Sequence, residues 1–307
     1  MATRVHRLPW ERIDTVLLDM DGTLLDLAFD NYFWLELVPA RYAAAAGLDV
    51  DAAKSMITRR YENVVGSLSW YCLDHWSGEL GLDIAELKRS HRHLIRYLPG
   101  AERFLAALRA AGKPLSIVTN AHPVTISVKA AQTNVNDRVD AVVCSHELAA
   151  PKESGEFWAE LARRHPFDSA RTLLVEDSLA VLGAARDYGV RHTVAIRRPD
   201  SRLPARSIAE FPSVDGVADL LPASWGHDIR QRPGDAGGRP ERARTVAGGR
   251  NARQARGRNP DRATCPCLDR PSPGRGPRDG RRRADRGVSA GGGCFCAPRR
   301  PGAETTS

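Results

Sequence analysis

Two kinds of hydrophobic pattern alternate along this chain, and the switch between them divides it. Short unbroken apolar runs stand at Thr15 to Leu18 and in PLSIVTN (114–120), AVVCS (141–145), TLLVEDS (172–178) and TVAIRR (193–198). Runs of this length bounded by turn residues read as strands buried on both faces. Helical spacing fills the gaps. AERFLAALRAAG (101–112) puts Phe104, Leu105 and Leu108 on one face with Gly112 at its end. A helix is predicted from Pro123, another around Phe157, Trp158 and Leu161, and a third in LAVLGAARDYG (179–189). Strands alternating with helices predict a doubly wound, mostly parallel, Rossmann-like α/β sheet covered on both faces.

From Asp30 to about Arg96 no strand-like run interrupts the pattern. NYFWLELVPARYAAAAGLD, VDAAKSMITRRYENVVGSL and AELKRSHRHLIRY space their apolar groups at three and four residues, with Gly47 and Asp51 as helix punctuation. The expectation is an all-helical cap over 30–96, inserted into a core made of 1–29 and 97–225. Beyond Gly226 neither period survives. Gly, Pro and Arg at this density bury too little surface to offset chain entropy, so 226–307 is expected to be a disordered tail.

Composition changes the picture mainly through charge. The 307 residues carry a formal +8, with 42% hydrophobic and 6% aromatic residues, which suits a globular protein with a sizeable core. From His227 onward there are nineteen Arg, no Lys and eight acids, a surplus of eleven that leaves −3 for the rest. The basic character therefore belongs to the tail. A basic Gly/Arg segment can hold RNA nonspecifically; it can equally be a solvated extension, or a stretch read from the wrong frame of GC-rich DNA. Cys265, Cys267, Cys294 and Cys296 sit there in pairs with one intervening residue, a weak spacing for zinc. Cys72 and Cys144 stand alone in apolar surroundings and read as reduced core thiols. No run approaches the roughly 18 residues of a membrane helix. The N-terminus lacks the apolar core of a secretory signal. A cytoplasmic address is expected.

The chemistry gathers where strands end. The first run stops in Asp19-Met20-Asp21-Gly22-Thr23, and residues two apart on a strand point the same way, so Asp19 and Asp21 begin as a carboxylate pair. A bare DxD with Asp-Gly is as readily a solvated turn. Thr119-Asn120, Lys152 and Glu176-Asp177 fall at or just past the ends of later strands, where ligands bind in such sheets, with the first strand expected centrally and the Glu176-Asp177 strand beside it. Singly, each has a bland reading: Thr-Asn a turn, Pro-Lys a surface loop, Glu-Asp-Ser a helix start capped by Ser178. Their order and shared position argue for one site.

The string VLLDMDGTLLD, with those later segments in that order, resembles the four motifs of the haloacid dehalogenase superfamily of phosphotransferases. The resemblance implies a HAD-like fold and phosphoryl transfer, since the dehalogenase branch lacks the second acid. It assigns Asp19 as nucleophile and Asp21 as general acid and base. Mg²⁺ would be held by Asp19, the carbonyl of Asp21 and Asp177, with Glu176 holding metal-bound water. Lys152, Thr119 and the amides around Asn120 would contact phosphoryl oxygens, and Gly22 would let the backbone close around them. A cap between the first two motifs is typical of members that act on small molecules.

Further segments, WYCLDHWSGELGLDI, TNAHP with Val128-Lys129 after it, and PKE, look like a proteobacterial group of GMP/IMP nucleotidases, over about Trp10 to Leu221. That likeness implies hydrolysis of purine nucleoside 5'-monophosphates through an aspartyl phosphate. A phosphatase or mutase for sugar phosphates such as phosphoglycolate would carry the same motifs, and an RNA-associated protein working through its tail is the reading from another class. Trp34, Trp70, Tyr71 and Trp76 are candidates to stack on a purine, or to form the cap's own core. His122 and His146 follow strand ends closely and could contact sugar or phosphate, or serve as polar loop residues.

Overall fold

The computed structural model describes residues 8–222, 224 and 225. The tail, with its four cysteines and the RNA and zinc readings attached to it, lies outside the described residues. Each apolar run forms a strand: β1 (Thr15–Leu18), β2 (Leu115–Thr119), β3 (Ala141–Cys144), β4 (Thr172–Glu176) and β5 (His192–Ile196). A short sixth strand, β6 (Ser213–Val214), was too brief to leave a sequence pattern. All pairings are parallel, in the order β3-β2-β1-β4-β5-β6. β1 is central and β4 is its neighbour, so the strand order reverses at β1.

Side chains along these strands alternate between two cores, as the two-residue period demands. Val16, Leu18, Ile117, Leu173 and Val175 face one core, while Leu17, Val118 and Leu174 face the other. The second core is closed by Phe157, Trp158 and Leu161 of one helix (Gly155–Arg164) and by Val181, Leu182 and Ala185 of another (Leu179–Tyr188). The first is closed by Phe104, Leu105 and Leu108 of Ala101–Ala110 and by Ile126 and Val128 of Pro123–Thr133. The doubly wound parallel α/β sheet follows from this two-sided burial.

In chain order the helices are α1 (Ala28–Tyr32), α2 (Val38–Ala46), α3 (Val50–Val64), α4 (Leu68–Tyr71), α5 (Leu73–Leu80), α6 (Ile84–Ser90), α7 (Ala101–Ala110), α8 (Pro123–Thr133), α9 (Gly155–Arg164) and α10 (Leu179–Tyr188). α1 runs through a π-helical turn, Phe33–Leu37, into α2, with Phe33, Trp34 and Leu37 buried. Gly47 ends α2 in the left-handed conformation. The cap of α3 is Asp49, whose carboxylate accepts from the amides of Asp51 and Ala52; Asp51 itself lies inside the first turn. No helix among the described residues is long and apolar enough to cross a membrane.

Candidate active site

Asp19 follows the last residue of β1, and its amide still donates to Val175 O of β4 at 3.0 Å. The chain then turns sharply: Leu24 and Leu25 both donate to Met20 O, and Gly22 donates to Leu25 O at 2.7 Å. Gly22 has φ +81°, and a Cβ there would lie 2.9 Å from the Asp177 carboxylate and 2.9 Å from Pro199. Only glycine fits the turn and the close approach together. β4 brings Glu176 and Asp177 alongside. The carboxylate oxygens of Asp19, Glu176 and Asp177, all buried, lie within 4.8 Å of one another.

Three buried acids at one strand edge repel. Burial pushes the Asp19 carboxyl up to about 8, reinforced by Glu176. Burial likewise raises Glu176 to about 7 and Asp177 to about 7, the latter helped by Asp19. Lys152 opposes this from the loop before α9. Its Nζ donates to Asp19 Oδ1 at 2.5 Å, Glu176 Oε2 at 2.7 Å and Val118 O at 3.1 Å. Asp19 Oδ2 is buried with no hydrogen-bond partner. An acceptor-only oxygen left over in an acidic, closed site is what a hard divalent cation would satisfy, so the donor set fits such an ion.

The two acids of the DxD pair do not share a lysine. Asp21 is held by Lys129 of α8, whose Nζ stands 2.5 Å from Asp21 Oδ1 and 2.6 Å from Asp30 Oδ2. Asp30 Oδ1 in turn takes Lys88 of α6 at 2.8 Å, and that ammonium lies 4.2 Å over the Phe33 ring. A buried chain Asp21, Lys129, Asp30, Lys88 therefore joins the end of β1 to the inserted helices. Burial raises Asp21, with Lys129 opposing. In Asp30 the two lysines outweigh burial and hold the carboxyl below the usual range. Burial lowers Lys88, whereas its two acids hold Lys129 above the ordinary lysine value. The sequence reading assigned no role to Asp30, Lys88 or Lys129. The available signal was a lysine at 129 on the same helix face as Thr125 and Val128, all three buried in the structure.

Asp19, Asp21, Asp30, Lys88, Lys152 and Glu176 open onto a cleft lined also by Thr119, Asn120, Trp34, Trp70 and Tyr71. The predicted residues are thus brought together, with differences in what they do. Thr119 Oγ1 accepts from the amide of Ala121 at 3.0 Å. The Asn120 side chain is committed to the neighbouring loop: Oδ1 accepts from Lys152 N at 3.0 Å, and Nδ2 donates to Glu153 Oε2 at 2.9 Å. Glu153, which the sequence reading passed over, also accepts from Tyr71 OH at 2.6 Å and so ties α4 to the Lys152 loop. Trp76 does not line the cleft. It is 1% exposed, donates from Nε1 to Trp70 O at 2.9 Å and packs edge-on against Tyr61. This ring is core, as the alternative reading of the cap aromatics had it. His122 lines the cleft and caps α8, its Nδ1 accepting from Val124 N at 3.3 Å.

The chain matches the family model for haloacid dehalogenase-like hydrolases over residues 13–189. It is 39% identical over 218 residues to the GMP/IMP nucleotidase YrfG of Escherichia coli (strain K12), covering 70% of this chain and 97% of that protein. The N-acetylmuramic acid 6-phosphate phosphatase of Pseudomonas aeruginosa is 29% identical over 61% of this chain and 82% of its own length. Among solved structures, a HAD phosphatase from Thermococcus onnurineus superposes with a TM-score of 0.56 at 21% identity, covering 67% of this chain and 94% of that one. Its likeness speaks for the fold. With an acid-bearing β1, a lysine loop and a second acidic strand end meeting in one cleft, the chain belongs to the haloacid dehalogenase-like hydrolases, and among them to the phosphatases.

Proposed function

We propose that the protein is a Mg²⁺-dependent phosphomonoesterase that hydrolyses purine nucleoside 5'-monophosphates, inosinate and guanylate foremost, through an aspartyl phosphate on Asp19. The observation that carries the reaction type is the pair of separately held acids at one strand end. Asp19 is fixed by Lys152 and Asp21 by Lys129, at 2.5 Å each, on one cleft. A nucleophile and a proton donor must each be held in place independently, and a separate lysine holds each acid. The nucleotide rests on the likeness to the nucleotidase of E. coli, which spans nearly all of that protein.

In this mechanism an Asp19 oxygen attacks phosphorus and the ester P–O bond breaks. The departing oxygen takes the proton of Asp21, which releases the nucleoside. Water then attacks the phosphoryl group, gives its proton back to Asp21, and returns Asp19 with inorganic phosphate. Lys152 offsets part of the burial that raises Asp19 and faces the phosphoryl oxygens, and Thr119 stands beside them. Asp19, Asp177 and the Asp21 carbonyl would hold Mg²⁺, with Glu176 orienting its water; when bound, the ion offsets the charge of the phosphate dianion. Gly22 leaves the space that phosphate and metal need. Residues 30–96 act as a helical cap on a core of 1–29 and 97–225, and Trp34, Trp70 and Tyr71 face the base. The reduced thiols of Cys72 and Cys144 suit a cytoplasmic setting.

Relatives named for N-acetylmuramic acid 6-phosphate and phosphoglycolate, at 29% and 28% identity, motivate a second reading in which a sugar phosphate is the substrate. Phosphate release from IMP, GMP, AMP, UMP, phosphoglycolate and sugar phosphates, with Mg²⁺ and with EDTA, separates the two. Release that favours IMP and GMP, needs Mg²⁺ and is lost in Asp19→Asn is the expected result. Equal rates across the panel would remove the nucleotide assignment, and activity in Asp19→Asn would remove the mechanism.

A further inference from the structure

A second cluster of ligating side chains stands beside the cleft, made of other chemistry than the acids. Cys72, His122 and His146 are all buried, and one potential ligand atom from each lies within 4.8 Å of the others. They come from three segments: the corner between α4 and α5, the N-cap of α8, and the loop after β3. The two imidazoles meet edge to face with centroids 5.1 Å apart. His146 Nε2 is buried and has no hydrogen-bond partner, in a residue that is 3% exposed. A buried ring nitrogen with nothing to bind is uncommon and points to a ligand.

The surroundings set the tautomer of His146. Cys144 Sγ donates its hydrogen to Ala121 O at 3.1 Å, so its lone pairs face His146 Nδ1 at 3.7 Å. Nδ1 therefore carries the proton, and Nε2 presents a lone pair into the cluster. Metal-bound histidines are oriented in the same way, by a partner on the ring nitrogen that does not bind the ion. Cys72 Sγ accepts from His75 N at 3.4 Å, which holds the sulfur at the start of α5. His122 turns Nε2 toward Asp74 Oδ2 at 3.7 Å. To ligate through Nε2 it exchanges the long 3.3 Å bond from Val124 N for a proton on Nδ1.

We propose that Cys72, His122 and His146 form a second metal site, specific for a borderline-soft divalent cation such as Zn²⁺, that fastens the α4–α5 corner to the carboxyl end of the sheet. Zinc takes thiolate sulfur at ~2.3 Å and imidazole nitrogen at ~2.0–2.1 Å, and sites with three protein ligands keep a fourth position for water or another ligand. Drawing three atoms that lie within 4.8 Å onto one ion asks for about 1 Å or less from each side chain. Binding releases the thiol proton of Cys72, leaving one thiolate, two neutral rings and a net single positive charge, with the Asp74 carboxylate nearby. The two clusters sort metals by donor: the oxygen set of Asp19, Glu176 and Asp177 suits Mg²⁺, the sulfur and nitrogen set suits Zn²⁺.

Co²⁺ reports this site directly, because a thiolate ligand gives an intense near-ultraviolet charge-transfer band that oxygen ligands do not. The full chain is titrated with Co²⁺ in excess Mg²⁺, with Cys265, Cys267, Cys294 and Cys296 replaced by Ser so that tail thiols stay silent. One equivalent should saturate a charge-transfer band that Zn²⁺ displaces. Cys72→Ser should abolish the band, His146→Gln should weaken Co²⁺ at least tenfold, and Cys144→Ser should retain the band. No band at stoichiometric Co²⁺, a band that survives Cys72→Ser, or equal affinity in His146→Gln would overturn the site. If Cys72→Ser does not fold, the His146→Gln and Cys144→Ser titrations decide alone. None of these readouts depends on catalysis, so they stand or fall apart from the substrate assignment.

Discussion

Replacing Lys129 by Met tests whether the buried ion chain works on both the fold and the chemistry. Lys129 is 1% exposed and contacts Asp21 at 2.5 Å and Asp30 at 2.6 Å. Methionine keeps most of its volume, so the change removes charge rather than packing. Breaking a buried ion pair by deleting one partner costs ~3–5 kcal/mol, because the other charge stays buried. Here Asp30 keeps Lys88 at 2.8 Å, and Asp21, already raised by burial, takes up a proton instead of remaining an orphaned anion. The loss should therefore sit at the low end, about 3 kcal/mol, out of the ~5–15 kcal/mol typical of a domain. With a urea m-value of ~1–3 kcal/mol/M, the unfolding midpoint should fall by at least ~1 M. Catalysis gives the second readout. An alkoxide leaving group needs a proton whose delivery is worth ~10²–10⁴-fold, whereas p-nitrophenolate leaves without one. Without the Lys129 contact the protonated Asp21 carboxyl is no longer aimed at the leaving oxygen, so Lys129→Met should slow IMP hydrolysis at least tenfold more than p-nitrophenyl phosphate hydrolysis. Equal slowing of the two substrates would refute the positioning role, and an unchanged urea midpoint would refute the burial argument.

Other outcomes follow from single features. Gly22→Ala combines a left-handed backbone with a Cβ 2.9 Å from the Asp177 carboxylate, so Mg²⁺ dependence should shift to higher concentration while the thermal midpoint drops; an unchanged Mg²⁺ titration would contradict the close approach. Trp76→Ala should cost ~3–5 kcal/mol in denaturant unfolding, as for a fully buried ring, and Tyr71→Phe should cost little stability but raise KM by freeing α4 from Glu153. Asp19, Glu176 and Asp177 bind protons more tightly folded than unfolded. Metal-free protein should therefore be most stable below about pH 4 as far as these groups go, and lose that contribution as pH rises toward 7–8. Saturating Mg²⁺ should flatten this slope in urea melts run from pH 4 to 8; a slope insensitive to Mg²⁺ would argue against metal at these acids.

What the sequence makes legible here is whatever repeats locally. A strand buried on both faces writes itself as a run of Val, Leu and Ile, so β1, β2, β4 and β5 are readable, as is the placing of the acids at their ends. The Lys88, Asp30 and Lys129 chain is not, since each ion pair joins residues 58 to 108 positions apart and no periodicity records it. Lysines on helices usually look outward; nothing in AELKRS marks Lys88 as inward, and the face shared with Thr125 and Val128 is the one faint sign for Lys129. The Asn120 side chain is hidden for the same reason. It follows β2, and its hydrogen bonds go to Lys152 and Glu153, which only the folded loop reveals. The π-helical turn at Phe33–Leu37 was hidden because the apolar spacing there also fits an ordinary helix.

The central place of β1 has a consequence for the order in which the molecule is made. β1 leaves the ribosome before any other strand, yet its two flanking partners lie 99 and 157 residues further along. Pairings of such separation are slow, because loop closure must precede the contacts that reward it. At ~5–20 residues per second, β4 follows β1 by roughly ten to thirty seconds of translation. Through the later part of that interval the edge of β1 that β4 will cover is open, while the inserted helices and β2 are already synthesised. A nascent chain halted before Thr172 would thus hold Asp19 without Glu176 or Asp177, and with one side of β1 open to association with another chain.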